Sequence, residues 1–102
     1  MINVEKSFKN EVIENKGITV VDFWAPWCGP CKMFGPIFEE TQDKHKDIKF
    51  CKLNIDEDFD NISRDFGVMS IPTIIAFKDG KEIKRNIGFL NQEALEEFLE
   101  EI

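Results

Sequence analysis

Residues 18–25 constrain the fold more than any other segment of the sequence. The segment is rich in β-branched and aromatic residues, and its two alternating faces are both apolar except for Asp22, its one charged side chain. A strand of this composition has to be covered on both faces, as in the parallel sheets of α/β domains. The segment therefore predicts a central strand between two layers of helices.

The rest of the chain alternates between helical and strand patterns. Four segments space their apolar residues as an amphipathic helix does: residues 8–16, a segment starting at Pro30, residues 58–67 and a segment capped by Asn91. Four segments favour strands: residues 2–5, 48–55, 73–78 and 81–89. The Asp79-Gly80 pair between the last two suits a type I′ hairpin turn, so we expect those two strands to be antiparallel.

This order of elements predicts an α/β fold with a central mixed β-sheet and helices on both faces. Parallel strands need long crossover connections, usually helices, whereas the last two strands turn back directly. A chain of 102 residues has the usual size of one domain. We therefore expect a single domain over residues 1–102.

The charge balance and the N-terminus narrow the range of partners and locations. Lys and Arg number 13 against 20 Asp and Glu, a net charge of −7, so no basic stripe is available for nucleic acid or an anionic membrane. Charges at Glu5 and Lys6 interrupt any signal-peptide core, which predicts a cytoplasmic protein. The sequence has no large excess of apolar residues that a second subunit would have to cover, so we expect a monomer.

The pattern Cys28-Gly29-Pro30-Cys31 lies where the central strand gives way to the next helix. A helix N-terminus carries unpaired N–H groups and a partial positive charge, which stabilise an anion by roughly 1–2 kcal/mol. A free thiol is only about 3% ionised at pH 7, so this stabilisation raises the thiolate fraction several-fold. Because the thiolate is the nucleophilic form, the sequence predicts Cys28 as a nucleophile.

Cys31 and Asp22 complete the predicted chemistry. Two intervening residues leave Cys31 within disulfide reach, and its place inside the first helical turn predicts a more buried, protonated thiol. Such a thiol can resolve a mixed disulfide only after it loses its proton. Burial raises the pKa of a carboxyl group, so we predict Asp22 as the base that accepts this proton.

The sequence resembles the thioredoxin family over essentially the whole chain. The motifs that carry the resemblance are residues 21–32 (VDFWAPWCGPCK), residues 52–56 (KLNID), residues 67–73 (GVMSIPT), Asp79-Gly80 and Gly88. The resemblance implies a thioredoxin fold and a dithiol–disulfide oxidoreductase that reduces disulfides of client proteins. It also implies no bound cofactor, with reducing equivalents coming from NADPH through a flavin-containing thioredoxin reductase.

The resemblance also assigns roles to residues outside the dithiol. Lys52 is expected near Asp22, where it modulates the charge of the carboxyl group, and Pro72 is expected to follow a cis peptide bond. A shallow apolar patch that docks an extended client segment is expected from the following residues: Trp27, Gly29, Pro30, Ile71, Pro72 and Gly88. The bulk of Phe89 after Gly88 leaves the client preference open.

Three other interpretations stay open on the sequence alone. A zinc site could use Cys28 and Cys31, but the remaining candidates, Cys51 and His45, do not form a second spaced pair. A binding module could dock through the surface around Trp27 with idle thiols, and an oxidase or isomerase could use the same fold. The strand pattern around Cys51 favours a buried structural cysteine over a regulatory thiol.

Overall fold

The computed structural model describes residues 1–102 and contains one five-stranded sheet in the order β1-β3-β2-β4-β5. The strands are β1 (Ile2–Asn3), β2 (Ile18–Trp24), β3 (Ile48–Asn54), β4 (Thr73–Lys78) and β5 (Lys81–Ile87). The helices are a π-helix (Lys9–Ile13), α1 (Gly29–Gln42), a 3₁₀ turn (Ile55–Glu57), α2 (Ile62–Asp65) and α3 (Gln92–Glu100). Strand β2 is central, as its apolar sequence predicts.

The pairing of the strands confirms the predicted mixed sheet. Strands β1 and β2 both run parallel to β3, whereas β4 runs antiparallel to β2 and β5 antiparallel to β4. The register places Asp22 beside Lys52 on one side and beside Ile74 on the other. The carboxyl ends of β2 and β3 therefore lie together at one edge of the sheet, where α1 begins.

Two apolar cores cover the two faces of the sheet. Val21 and Phe23 of β2 face the core that includes Val12 of the π-helix and Ile62 of α2. Val20, one position away on the opposite face, packs in the core formed with α1 and α3. Because side chains of a strand alternate, Asp22 follows Val20 towards the face that α1 covers. The alternation thus carries one carboxyl group into an otherwise apolar layer.

One hairpin turn and one helix cap form as their sequences predict. Asp79 and Gly80 both have positive φ, +50° and +84°, the conformation of a type I′ turn. The side chain of Asn91 accepts a hydrogen bond from the N–H of Ala94 at 2.8 Å and caps α3. Helix α1 continues through Pro36 to Gln42 as one element.

Two helices differ from the sequence predictions. The first is a five-residue π-helix over Lys9–Ile13 rather than a helix over residues 8–16, and no side chain caps it. The second begins at Ile62 rather than at Asp58, because the Asp58 carboxylate accepts the N–H groups of Ile62 and Ser63 at 2.9 and 2.7 Å. The apolar spacing of residues 58–67 predicts Phe59 on the buried side of this helix, but Phe59 is 80% exposed.

None of the helices combines the length and the apolar character that a membrane crossing requires.

The hairpin turn yields a prediction about stability. Gly80→Ala should destabilise the chain more than Gly17→Ala, although both glycines have positive φ. The left-handed conformation costs an alanine about 1–2 kcal/mol at either position. At Gly80 a Cβ would also overlap the backbone carbonyl of Ile13, whereas nothing lies within 4 Å of one at Gly17. The overlap should add about 1–3 kcal/mol, as overpacking does elsewhere.

Urea unfolding of the two variants measures this difference directly. Equal losses of unfolding free energy in Gly80→Ala and Gly17→Ala would show that the contact with Ile13 adds nothing to the conformational cost.

Candidate active site

The dithiol lies at the N-terminus of α1, at the end of the sheet where β2 stops. Cys28 and Cys31 are joined as a disulfide with their Cα atoms 5.2 Å apart. Cys28 is the N-cap residue of α1, and its sulfur accepts the backbone N–H of Cys31 at 3.2 Å. Pro30 occupies the first turn, where its missing N–H leaves no intrahelical bond unmade. The sequence pattern alone placed both sulfurs correctly.

This position favours negative charge on the sulfur of Cys28. The N–H of Cys31 points at that sulfur, and the remaining unpaired N–H groups of the first turn add their partial positive charge. Cys28 is 6% exposed and Cys31 3%, so the difference in burial has the expected direction but is small. The two sulfurs thus differ more in their electrostatic surroundings than in their burial.

Asp22 shares a cavity of about 290 Å³ with Cys31. The side chain is 3% exposed, and its Oδ1 atom has no hydrogen-bond partner. Burial raises the pKa of Asp22 from 3.8 to about 7, and the nearby charge of Lys52 lowers it in part. A carboxyl group with this pKa can exchange a proton at neutral pH, which is the property predicted from its place in the strand.

Lys52 lines the same cavity but forms no ion pair with Asp22. Its ammonium instead lies 3.6 Å from Oε1 of Glu39 and 5.0 Å from the centre of the Trp24 ring. The Nε1 atom of Trp24 is buried and has no partner, like Oδ1 of Asp22. Two unpartnered polar atoms therefore border the space between β2 and α1.

A loop that precedes β4 completes the surroundings of Cys28. The peptide bond between Ile71 and Pro72 is cis, as the resemblance implies. The carbonyl oxygen of Ile71 lies 3.8 Å from the sulfur of Cys28. The N–H of Gly88 donates to the carbonyl oxygen of Pro72 at 2.8 Å, so the end of β5 holds this loop in place. Gly88 adopts a φ of +103°, which favours glycine.

Trp27 is an exposed part of the site beside Cys28. Its side chain is 65% exposed, and its Nε1 atom donates to Oδ1 of Asp56 at 3.1 Å. Gly29 begins α1 with no heavy atom within 4 Å of the place where a Cβ would lie. The surface around the disulfide is consequently open beside Trp27 and Gly29.

Sequence reasoning missed two residues of this region, Asp56 and Glu39. Asp56 follows β3 by two residues, and the carboxyl ends of the parallel strands β2 and β3 meet near Trp27. That topology was a usable signal for Asp56. Glu39 lies more than two turns after Cys31 on α1 and reaches Lys52 only through the tertiary packing of α1 on β3.

The residues considered for a zinc site do not converge. Cys51 is fully buried in the core on the opposite face of the sheet, where burial raises its pKa to about 11. His45 is partly buried and pairs with Glu96 at 2.5 Å, so it is not the solvated side chain that its charged neighbours suggest. No group of three or more His, Cys, Asp or Glu side chains is arranged to hold a metal ion.

Comparison with known proteins adds an independent finding. The sequence model of the thioredoxin family matches residues 1–101. The thioredoxin of Bacillus subtilis (strain 168) is 43% identical over 96 residues, covering 93% of this chain and 89% of the relative. The chain belongs to the thioredoxin family. Two further relatives support this assignment. The thioredoxin of Pseudomonas aeruginosa is 42% identical over 102 residues, covering 98% of this chain and 94% of the relative. The thioredoxin of Rickettsia typhi is 48% identical over 90 residues, covering 87% of this chain and 85% of the relative.

Family membership and the dithiol geometry together establish the type of chemistry. This member of the thioredoxin family is a dithiol–disulfide oxidoreductase whose redox-active pair is Cys28 and Cys31. Thioredoxins need no bound cofactor, because the two thiols themselves carry the electrons.

The raised pKa of Asp22 predicts a stabilising substitution. Between about pH 4 and pH 7, the folded chain keeps a proton on Asp22 that the unfolded chain has released. Stability from this group is therefore complete at low pH and is lost as the pH rises to 7. Asp22→Asn should raise the free energy of unfolding by roughly 2–4 kcal/mol at about pH 8 and change it little near pH 3.

Denaturation curves over this pH range, with Asp47→Asn as control, provide the measurement. Asp47 is exposed, and none of the side-chain hydrogen bonds or ion pairs involves it. A gain in stability that is the same at every pH would contradict the burial of an ionisable carboxyl group as its cause.

Proposed function

We propose that this chain reduces disulfides of client proteins through a mixed disulfide with Cys28. The observation that carries the proposal is the position of the Cys28 sulfur at the N-terminus of α1, bonded to the N–H of Cys31. That position favours the thiolate, which is the attacking form. The short distance to Cys31 lets a second thiol complete the reaction without moving the backbone far.

The reaction transfers two electrons to the client. The Cys28 thiolate attacks one client sulfur, forms the mixed disulfide and releases the other client sulfur as a thiolate that takes up a proton. The Cys31 thiol then loses its proton and attacks the Cys28 sulfur. This step breaks the mixed disulfide, releases the second client thiol and leaves the disulfide between Cys28 and Cys31.

Asp22 is the proposed acceptor of the Cys31 proton. Asp22 and Cys31 line one cavity, and Asp22 has a pKa of about 7 because of its burial. A carboxyl group with the usual acidic pKa would be a poorer base for a thiol at neutral pH. Lys52, which lines the same cavity, moderates the charge of Asp22 from the neighbouring strand.

A client segment is proposed to dock in extended form across the surface beside Cys28. The carbonyl oxygen of Ile71 lies 3.8 Å from the reactive sulfur, and we propose that it accepts a hydrogen bond from a client N–H group. Pro72, which follows it, has no N–H to compete for that sulfur. The apolar contact surface is formed by the following residues: Trp27, Gly29, Pro30, Ile71 and Gly88.

The electron supply and the cellular location are proposed by analogy with the thioredoxin family. We propose that a flavin-containing thioredoxin reductase, drawing on NADPH, restores the dithiol after each cycle. We also propose that the chain is one domain over residues 1–102, acts as a monomer in the cytoplasm, and does not bind nucleic acid or membranes. An excess of acidic residues supports the last point, since it repels phosphates.

The roles of the two thiols can be separated by substitution. In a dithiothreitol-driven assay on a disulfide-bonded protein, Cys28→Ser should reduce turnover to the uncatalysed rate. Cys31→Ser should accumulate a mixed disulfide through Cys28, detectable by mass spectrometry, because no second thiol resolves it. Cys51→Ala should retain turnover, since Cys51 lies in the core on the far side of the sheet.

Turnover that survives Cys28→Ser, with no adduct in Cys31→Ser, would contradict the proposed roles. A cellular phenotype that persists when both cysteines are replaced by serine would support the binding-module interpretation instead.

The docking surface generates a second prediction. Trp27→Ala should raise KM for a protein disulfide by about five- to thirty-fold, as removal of an exposed aromatic anchor commonly does. It should leave the rate with a small aromatic disulfide nearly unchanged, because such a substrate needs no extended docking. Ile83→Ala is the control, since Ile83 is also exposed and apolar but lies in β5 near the opposite end of the sheet.

If Trp27→Ala lost activity equally with the protein disulfide and with the small disulfide, Trp27 would act on the chemistry of Cys28 rather than on client docking.

A further inference from the structure

Lys52 lines a cavity with two carboxyl groups, those of Asp22 and Glu39, and forms an ion pair with only one of them. Lys52 is directly beside Asp22 in the parallel register of β2 and β3. Its ion pair is nevertheless with Glu39 of α1, at 3.6 Å, and it lies over the ring of Trp24. Asp22 receives no hydrogen bond on Oδ1 from any side chain. A buried acid thus lacks the partner that its neighbouring strand could supply.

The groups that can set the charge of Asp22 are few. Strand β4 places the apolar Ile74 opposite Asp22, so no titratable side chain faces it from that strand. The titratable groups that line the shared cavity come from β3 and α1: Lys52, Cys31, Lys32 and Glu39. Of these, Lys52 exerts the strongest charge effect on Asp22 and lowers its pKa. The place of the Lys52 ammonium therefore matters to the carboxyl group.

We propose that Glu39 is a positioning residue that holds the Lys52 ammonium away from Asp22 and thereby keeps the Asp22 carboxyl group basic enough to accept the proton of Cys31. The proposal rests on the proposed role of Asp22 and extends it to a second carboxylate on α1. The ion pair with Lys52 is the one hydrogen bond or ion pair that the Glu39 side chain forms. Glu39 acts on the proton transfer only through Lys52.

The sign of the effect follows from the charges. An ammonium within ion-pair distance lowers the pKa of a carboxyl group by about 1–3 units. Without the Glu39 carboxylate, Asp22 is the remaining carboxyl group that lines the cavity with Lys52, so the ammonium should move towards it. Stability should change little, because the Glu39 side chain is 53% exposed and surface ion pairs contribute little. Glu39→Gln can therefore be studied as a folded protein.

The test measures the Asp22 carboxyl directly by NMR, using protein labelled with carbon-13 at the aspartate carboxyl groups. The oxidised form is used because Cys28 and Cys31 then do not titrate alongside Asp22. Glu39→Gln should lower the pKa of Asp22 by about 0.5–1 unit, which changes its ratio of ionised to protonated form about three- to tenfold. Glu40→Gln, the exposed neighbour on the same helix, should leave the pKa unchanged.

A double substitution tests whether the effect passes through Lys52. Lys52→Gln should raise the pKa of Asp22, and Glu39→Gln added to it should change nothing further. In the reduced protein, the pH profile of the resolving step should shift to lower pH in Glu39→Gln and not in Glu40→Gln.

Two results would overturn the proposal. One is a pKa of Asp22 in Glu39→Gln equal to that in Glu40→Gln. The other is a fall in the pKa of Asp22 that is equally large when Glu39→Gln is added to Lys52→Gln, which would mean that Glu39 acts on Asp22 directly. Because the titration uses oxidised protein and no client, it is independent of the turnover assays that test the proposed function.

Discussion

The hydrogen bond from the Cys31 N–H to the Cys28 sulfur is the interaction on which the site depends. It places a sulfur atom where the N-terminus of α1 would otherwise leave N–H groups unpaired, so the cap of the helix and the reactive group are the same atom. The sheet serves this arrangement. Strand β2 carries the chain to the start of α1, and the loop before β4 brings the carbonyl of Ile71 to the same sulfur.

The cost of the site lies in Asp22. A carboxyl group on a face that is otherwise apolar is disfavoured in its charged form, and no hydrogen bond compensates Oδ1. Full pairing with Lys52 would relieve that cost but would also return Asp22 to the acidity of an ordinary carboxylate. Because Lys52 pairs with Glu39 instead, its positive charge offsets only part of the effect of burial on the pKa of Asp22. Stability is therefore traded for a group that can exchange protons near neutral pH.

Much of the fold and the dithiol could be predicted from the sequence because the signals are local. The apolar composition of β2, the Asp79-Gly80 turn and the Asn91 cap each act within a few residues. The predicted start of α2 was wrong because Asp58 lies outside the helix and accepts the N–H group of Ile62, four residues later. Phe59 then lies outside the helix and is exposed. Glu39 and Asp56 were missed because their contacts, with Lys52 and Trp27, depend on how α1 and β3 pack against the sheet.

The pH dependence of Cys28 alkylation shows whether the N-terminus of α1 stabilises the thiolate. The measurement uses reduced Cys31→Ser protein, which keeps the backbone N–H at that position, and compares the folded chain with the same chain unfolded in urea. If the N-terminus of α1 stabilises the thiolate, the alkylation rate of folded Cys28 rises with a midpoint at clearly lower pH than in the unfolded chain. Equal midpoints in the folded and the unfolded chain would contradict any stabilisation of the Cys28 thiolate by the N-terminus of α1.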